Sequence, residues 1–468
     1  MSGPVYAGDD GLDGRIDEAL ATPRLATTLG AVRDSTLAGR AGIEARHPDW
    51  PARVERARRI RLDGVRRMDE LIDTFEARLR ANGGTLVRAA TPADAVAAVV
   101  EVAHRRGARL IAKGKSMVSE EIDLNQGLEA AGLVPVETDL GEWVAQLAGE
   151  RPSHIIAPIL HRNRAQVAEI LSIEAGRELP DDPAGLVAFA RERMRETFAR
   201  ADLGITGANF LVAETGAAIV IENEGNGRLV TSLPRCHVVV AGIEKVVEYA
   251  TDAAFLVQQT TMAGVARDMP SYVSWIAGPA RDGDDGPDEV VVVVLDGGRR
   301  ALVGSESEDI LTCVRCGACL SICPVYGKVG GHAYGSVYPG PIGAVLTPLL
   351  EGLAPDRGRR LPFLSSLCGA CTDICPVGIP LHDLLVKGRV RANASGQASR
   401  SARAAWRAWA MAWSSPVRYR ASARLGTALG PLARAAGPGA TWAQERGAPP
   451  SPARRPFHQR WSELELEA

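Results

Sequence analysis

At 468 residues the chain exceeds a single ordinary core, and two or three domains are expected. With 46% hydrophobic and 24% charged residues and a net charge of −2, it has the composition of a soluble globular protein and no overall charge suited to nucleic acid. Met1-Ser-Gly-Pro opens without a basic segment and apolar run, and no stretch reaches about 18 consecutive apolar residues, so neither a signal peptide nor a membrane-spanning helix is expected and a cytoplasmic location is.

Residues 1–80 read as a helical region, with apolar residues at helical spacing among charges in Arg53–Arg61 and Met68–Arg78. From about residue 84 strands alternate with helices: a strand at Thr85–Arg88, a helix over Pro92–Arg105, a strand at Arg109–Ala112, a helix from Val118, a strand at His154–Leu160 and a helix through Gln166–Glu174. That alternation predicts a mainly parallel sheet covered on both faces. Beyond residue 204 the pattern becomes β-rich, with strands at Ala217–Glu222, Cys236–Ala241 and Glu289–Leu295, the turn residues Asn223–Gly227, and a Gly/Asp/Pro loop at Arg281–Asp288. The α/β domain is expected to span 81–300.

Two groups in this part are candidate site residues. Lys113 and Lys115, in Lys113-Gly114-Lys115-Ser116, lie between a strand and a helix, where free N–H groups and two cations suit a carboxylate or phosphate. Glu214, ahead of a strand, is either a catalytic carboxylate or a turn residue facing solvent. Cys236 reads as an inert buried thiol. The P-loop spacing and a dinucleotide-binding G-x-G-x-x-G are absent.

Seven of the eight cysteines fall between Cys313 and Cys375. Cys313, Cys316, Cys319 and Cys323, followed by Pro324, form C-x2-C-x2-C-x3-C-P, the run with which two-cluster ferredoxins hold iron–sulfur cubanes. Cys368, Cys371 and Cys375, followed by Pro376, repeat it with Ser365 where the first cysteine would stand. Because the fourth cysteine of such a run ligates the other cluster, Cys313, Cys316, Cys319 and Cys375 are assigned to one cluster, and Cys323, Cys368 and Cys371 to a second. The second has three cysteines, so its fourth iron takes Ser365, a partner's ligand or solvent, or is missing in a [3Fe-4S] cluster. Zinc favours two separated C-x2-C pairs, and disulfides do not suit a reducing compartment. His332 and His382 lie close enough in sequence to tune cluster potentials or simply face solvent. The iron–sulfur domain is expected over 301–390.

Residues 391–468 are rich in Ala, Arg, Pro and Gly and hold five of the eight tryptophans. Trp406, Trp409 and Trp413 share one helix face flanked by Arg403 and Arg407, suited to packing on the protein itself, to a partner or to a membrane surface. From Gly437 on a poorly ordered tail is expected.

Lys113–Met117, Gly207–Gly216, the spacer Tyr338–Pro348 and the run Cys368–His382 resemble the lactate utilisation protein B family, and the resemblance spans nearly the whole chain. It implies an α/β LUD domain similar to sugar-phosphate isomerase and CoA-transferase folds, followed by an α-helical ferredoxin-like domain with two [4Fe-4S] clusters on the cysteines named above. It further implies companion subunits from the same operon, with which L-lactate is oxidised to pyruvate. The expected role is an electron-transfer subunit of that oxidoreductase. The competing expectations are an LUD domain that itself acts on a hydroxy acid through Lys113, Lys115 and Glu214, and a cluster-based redox sensor or scaffold.

Overall fold

The computed structural model describes residues 11–281, 283–396, 400–435, 455 and 457–461; most of the tail expected from Gly437 lies outside them. The chain divides into two units, one through Ala392 and one from Asn393.

Among the described residues ten strands organise the first unit: β1 (Thr85–Ala89), β2 (Leu110–Lys113), β3 (Val134–Glu137), β4 (Leu203–Thr206), β5 (Phe210–Val212), β6 (Ala217–Glu222), β7 (Cys236–Gly242), β8 (Val246–Val247), β9 (Tyr272–Ile276) and β10 (Glu289–Leu295). Six of them form a wholly parallel sheet in the order β1-β10-β7-β4-β2-β3. Strands buried on both faces have no polar side to show, and β7 and β10 accordingly read as unbroken apolar runs apart from His237 and the leading Glu289. The other four make a second sheet in the order β8-β5-β6-β9. The chain steps outward from β2 to β3, then returns across β2 to β4, so strand order reverses between β2 and β4. Crevices in open parallel sheets lie at the carboxyl ends of strands at such a reversal.

Helices α1 (Leu12–Leu20), α2 (Pro23–Arg46), α3 (Trp50–Arg66) and α4 (Met68–Ala81) precede the sheet. They do not form a separate core. Met68, Leu71, Ile72, Phe75 and Leu79 line one face of α4 and join a hydrophobic cluster that continues through Phe210 and Val246 to Leu320, Tyr334 and Ile342. Arg61 of α3, fully buried, donates to the carbonyls of Val246 at 3.3 Å, Leu311 at 3.2 Å and Thr312 at 3.2 Å. One side chain thus holds the small sheet to the segment that leads into the cysteines.

Between the strands run α5 (Pro92–Arg105), α6 (Met117–Glu121), α7 (Leu124–Ala130), α8 (Leu140–Leu147) and α9 (Arg164–Ala175). The strand expected at His154–Leu160 is instead irregular. Ser153 N–H donates to the Pro158 carbonyl at 2.7 Å, and His154 Nδ1 accepts from the N–H groups of Ile156 and Ala157 at 3.1 Å each. These local bonds use the donors a strand would offer to a neighbour, and Pro158 has none.

In the second unit the helix Arg400–Trp413 carries Trp406, Trp409 and Trp413, which touch ring to ring at 5.7 and 5.2 Å and remain exposed. Among the described residues no helix is long and apolar enough to cross a membrane.

Candidate functional site

The two cysteine blocks fold alike from the backbone outward. In the first, Arg315 adopts φ +59° and its N–H donates to Cys313 Sγ at 3.4 Å; Gly317 follows at φ +75° and starts the helix Ala318–Ile322. In the second, Leu367 adopts φ +55° and its N–H donates to Ser365 Oγ at 3.1 Å; Gly369 follows at φ +83° and starts the helix Ala370–Asp373. A left-handed conformation at a residue with a side chain costs roughly 1–2 kcal/mol. The chain accepts it at the same place in both blocks, and Ser365 stands in the turn that Cys313 occupies in the first.

Around these turns the thiols gather in two groups. Burial raises the Cys316 thiol, and Cys375 and Cys313 raise it further. Cys319 is raised by burial and then by Cys313, Cys316 and Cys375. Cys371 is pushed up to about 11 by burial and then by Cys323 and Cys368. Cys371 also acts on Cys319, so the two groups adjoin. Thiols that resist ionisation beside one another suit a site whose positive charge comes from bound iron, since the thiolate is the ligand form. N–H groups aimed at sulfur fit the same use: Tyr326 donates to Cys323 Sγ at 3.5 Å and Ile379 to Cys375 Sγ at 3.4 Å. The donor set therefore fits iron–sulfur clusters. Cys316 and Cys375 are buried, whereas Cys368 is exposed.

The crevice at the β2/β4 reversal opens onto the first group. A cavity of about 350 Å³ is lined by Lys115, Thr206, Asn209, Thr260, Arg315 and Cys316, among others. Its walls approach closely: a Cβ on Gly207 would stand 2.7 Å from Ser116 Oγ, and one on Gly264 3.1 Å from the Cys316 carbonyl. Lys115 Nζ donates to the Ile156 carbonyl at 2.7 Å and keeps two further protons for a ligand. Arg315 lies 3.6 Å from Glu244 and stacks over Tyr338, yet its Nη1 is buried without a hydrogen-bond partner, as is Thr260 Oγ1. Asp139, Glu222 and Glu224 also line the cavity. Glu222 accepts from the N–H groups of Gly227 at 2.5 Å and Arg228 at 2.8 Å. Burial and then Asp139 raise Glu224 above its ordinary value.

Of the candidate residues outside the cysteines, only Lys115 lines this crevice. Lys113 is fully buried, with Nζ 2.5 Å from Glu137 Oε1 and 3.2 Å from Glu120 Oε1. Glu214 is exposed and accepts from the Ala250 N–H at 2.8 Å, at the start of the helix Ala250–Val265. Ser116 Oγ caps the five-residue α6 by accepting from the Ser119 N–H at 3.3 Å. His332 Nε2 bonds the Arg151 carbonyl at 2.8 Å and His382 Nδ1 the Thr372 hydroxyl at 2.8 Å. Cys236 is buried in β7, where burial and then Glu289 push its thiol up to about 11. Thr260 and Arg315 carried no sequence signal of their own; Arg315 lies inside the cysteine run, which drew attention only to its ligands.

Comparisons with known proteins agree with this architecture. The LUD domain family matches residues 72–295, the 4Fe-4S dicluster domain residues 309–379, and the C-terminal domain of lactate utilisation protein B residues 386–465. "Lactate utilization protein B" of Shouchella clausii is 38% identical over 95% of this chain and 94% of its own. That of Oceanobacillus iheyensis is 38% identical over 98% and 97%, and that of Bacillus cytotoxicus 39% identical over 89% of each. A DUF162 family protein of Deinococcus radiodurans with a solved crystal structure is 17% identical over 49% of this chain and 98% of its own, with a TM-score of 0.28, too low to bear on the fold. With an LUD α/β domain, a 4Fe-4S dicluster domain and relatives alike over nearly their full length, the chain belongs to the lactate utilisation protein B family of iron–sulfur proteins.

Proposed function

We propose that this protein is the electron-transfer subunit of a cytoplasmic complex that oxidises L-lactate to pyruvate, together with companion subunits of the same operon. The observation that carries the reading is the gathering of seven cysteine thiols into two adjoining groups, one of them against the LUD crevice. In this reading Cys313, Cys316, Cys319 and Cys375 would hold one cluster, and Cys323, Cys368 and Cys371 the other, whose fourth iron would take Ser365, a partner's ligand or solvent, or be missing in a [3Fe-4S] cluster. Two bound [4Fe-4S] clusters would supply two one-electron acceptors, matching the two electrons released when lactate loses two protons to become pyruvate. The chain's own part is to hold the thiolates, donate N–H bonds to sulfur, bury Cys316 and Cys375 of the first group and leave Cys368 of the second at the surface.

Crossed ligation makes a sharp expectation. Cys375→Ser, although in the second block, removes the cluster of Cys313, Cys316 and Cys319 and spares the other; Cys371→Ser does the reverse. Iron and sulfide content with EPR of the reduced variants reads this out. Each block losing only its own cluster would contradict the assignment.

The crevice favours a second, compatible reading, in which the LUD domain itself binds the hydroxy acid. Lys115 and the unpartnered Arg315 Nη1 and Thr260 Oγ1 supply donors for a carboxylate and a hydroxyl. An acid held there lies beside Cys316.

A further inference from the structure

Next to the crevice, with a cavity of its own, lies a group of side chains that neither the clusters nor the lactate reading uses. Glu120 of α6, Glu137 at the end of β3 and Glu142 of α8 bring carboxylate oxygens within 4.8 Å of one another. Lys113 bonds to two of these carboxylates, and Asn125 Nδ2 donates to Glu137 Oε1 at 2.7 Å. Four buried oxygens are left without a hydrogen-bond partner: both of Glu142, Glu137 Oε2 and Asn125 Oδ1. Glu142 is 2% exposed. Glu120, Asn125, Glu137 and Glu142 all line a cavity of about 230 Å³.

An acidic cluster alone would say little, because carboxylates gather on many surfaces. Here both oxygens of Glu142 are withdrawn from water and meet no donor, which is costly for a carboxylate. Three carboxylates against one lysine leave two negative charges. A proton on Glu142 would cancel one of them, give one oxygen a hydrogen to donate, and leave its other oxygen bare. A divalent cation cancels both and takes the unpaired oxygens as ligands.

We propose that Glu120, Glu137, Glu142 and the Asn125 carbonyl bind one hard divalent cation, of the Mg²⁺, Mn²⁺ or Ca²⁺ class. The donors are all oxygen, with no thiolate or imidazole to select a softer metal. The cavity leaves room for waters to complete six or more ligands. Oxygens 4.8 Å apart or less span the trans distance of a cation with roughly 2.1–2.4 Å bonds. The cation would join the carboxyl ends of β2 and β3 through α6, α7 and α8, and so brace the strand that delivers Lys115 to the crevice. This site is independent of the lactate reading.

The test uses the full chain with its clusters, treated with chelator, desalted, and titrated in turn with MgCl₂, MnCl₂ and CaCl₂ by calorimetry and thermal unfolding. At least one cation should bind saturably at one equivalent and raise the unfolding temperature. Glu142→Gln should abolish that binding, and Asn125→Ala should weaken it by about 10-fold or more, with cluster absorbance unchanged in both. Should Glu142→Gln fail to fold or lose its iron, Asn125→Ala and the Mn²⁺ EPR spectrum of the unmutated protein decide the matter. Failure of all three cations to bind the unmutated chain, or undiminished binding in Glu142→Gln or Asn125→Ala, overturns the proposal. The first of these outcomes would assign a proton to Glu142 instead.

Discussion

Glu244 is a fully buried carboxylate that keeps its charge: burial would raise it, but Arg299, Lys245 and Arg315 outweigh burial and hold it at about 2. Arg299 Nε lies 2.7 Å from it, Arg299 Nη2 reaches Glu121 Oε2 at 2.7 Å, and the Tyr338 hydroxyl meets the same oxygen at 2.5 Å. Through these side chains the end of β7, α6 and the spacer between the cysteine blocks form one charged network, and Arg315 carries it to the crevice wall. On the crevice wall, Arg315 Nη1 and Thr260 Oγ1 are buried without a hydrogen-bond partner. That distinction gives a test of the second reading. Replacing a buried, unpartnered hydroxyl by a methyl of the same shape is near neutral or stabilising, so Thr260→Val should leave stability within about 0.5 kcal/mol or improve it. If the crevice holds the acid, the same change should weaken L-lactate binding by about 10-fold, the loss expected for one hydrogen bond of roughly 1.5 kcal/mol. Calorimetry on the unmutated chain and the variant checks both; lactate binding of equal strength in the two would remove Thr260 from the site.

At the scale of elements, β7 places His237 beneath the crevice. It is fully buried, its Nε2 lies 2.8 Å from the Thr206 hydroxyl, and burial lowers it to about 3. Burial likewise holds His154 and His332 at about 4, with Lys115 and His161 respectively adding to the effect. All three are neutral in the fold at pH 7. In the unfolded chain each takes up a proton near pH 6.5, so between about 6.5 and 4 the unfolded state binds more protons than the folded one. Stability therefore falls as pH falls through that window, by up to about 1.4 kcal/mol per pH unit for each histidine. Denaturant midpoints from pH 7 to pH 5, with cluster absorbance monitored, should decline steadily; a flat profile would show that these imidazoles can charge in place.

The same elements show what sequence can disclose. The helix over Pro92–Arg105 is written in adjacent residues: Pro92 opens it, and the Thr91–Asp94 capping box closes its first turn at 3.2 and 2.9 Å. The five valines of β10 likewise announce a strand buried on both faces. The cysteine run names its candidate ligands through their spacing, the one two-cluster ferredoxins use. Where partners are remote, legibility ends. His154–Leu160 has a strand's apolar content but spends its donors within the segment. The crevice draws its walls from Lys115, Thr206, Thr260 and Arg315, and the Glu121–Arg299 pair spans 178 positions; no local pattern encodes such meetings. Two residues apart on a strand, Lys113 and Lys115 would share a face, but β2 ends at Lys113, and Lys113 turns to Glu120 and Glu137 while Lys115 lines the crevice.

For the whole molecule, the placement of the two thiol groups gives the account its direction. Cys316 lies against the LUD crevice, and Cys368, of the other group, is exposed. On the proposed electron-transfer role, electrons entering beside the crevice would leave at the surface near Cys368. The N-terminal helices share the same core, so this arrangement is held by packing from α4 through the small sheet to the cysteine blocks. The measurement that tests the electron-transfer role most directly is growth of a strain lacking this gene on L-lactate and, in parallel, on pyruvate, each as sole carbon source. The account predicts failure on lactate alone, rescue by the intact gene, and no rescue by a stably expressed Cys316→Ala copy. Full rescue by the Cys316→Ala copy would contradict it, because lactate would then be oxidised without the cluster beside the crevice.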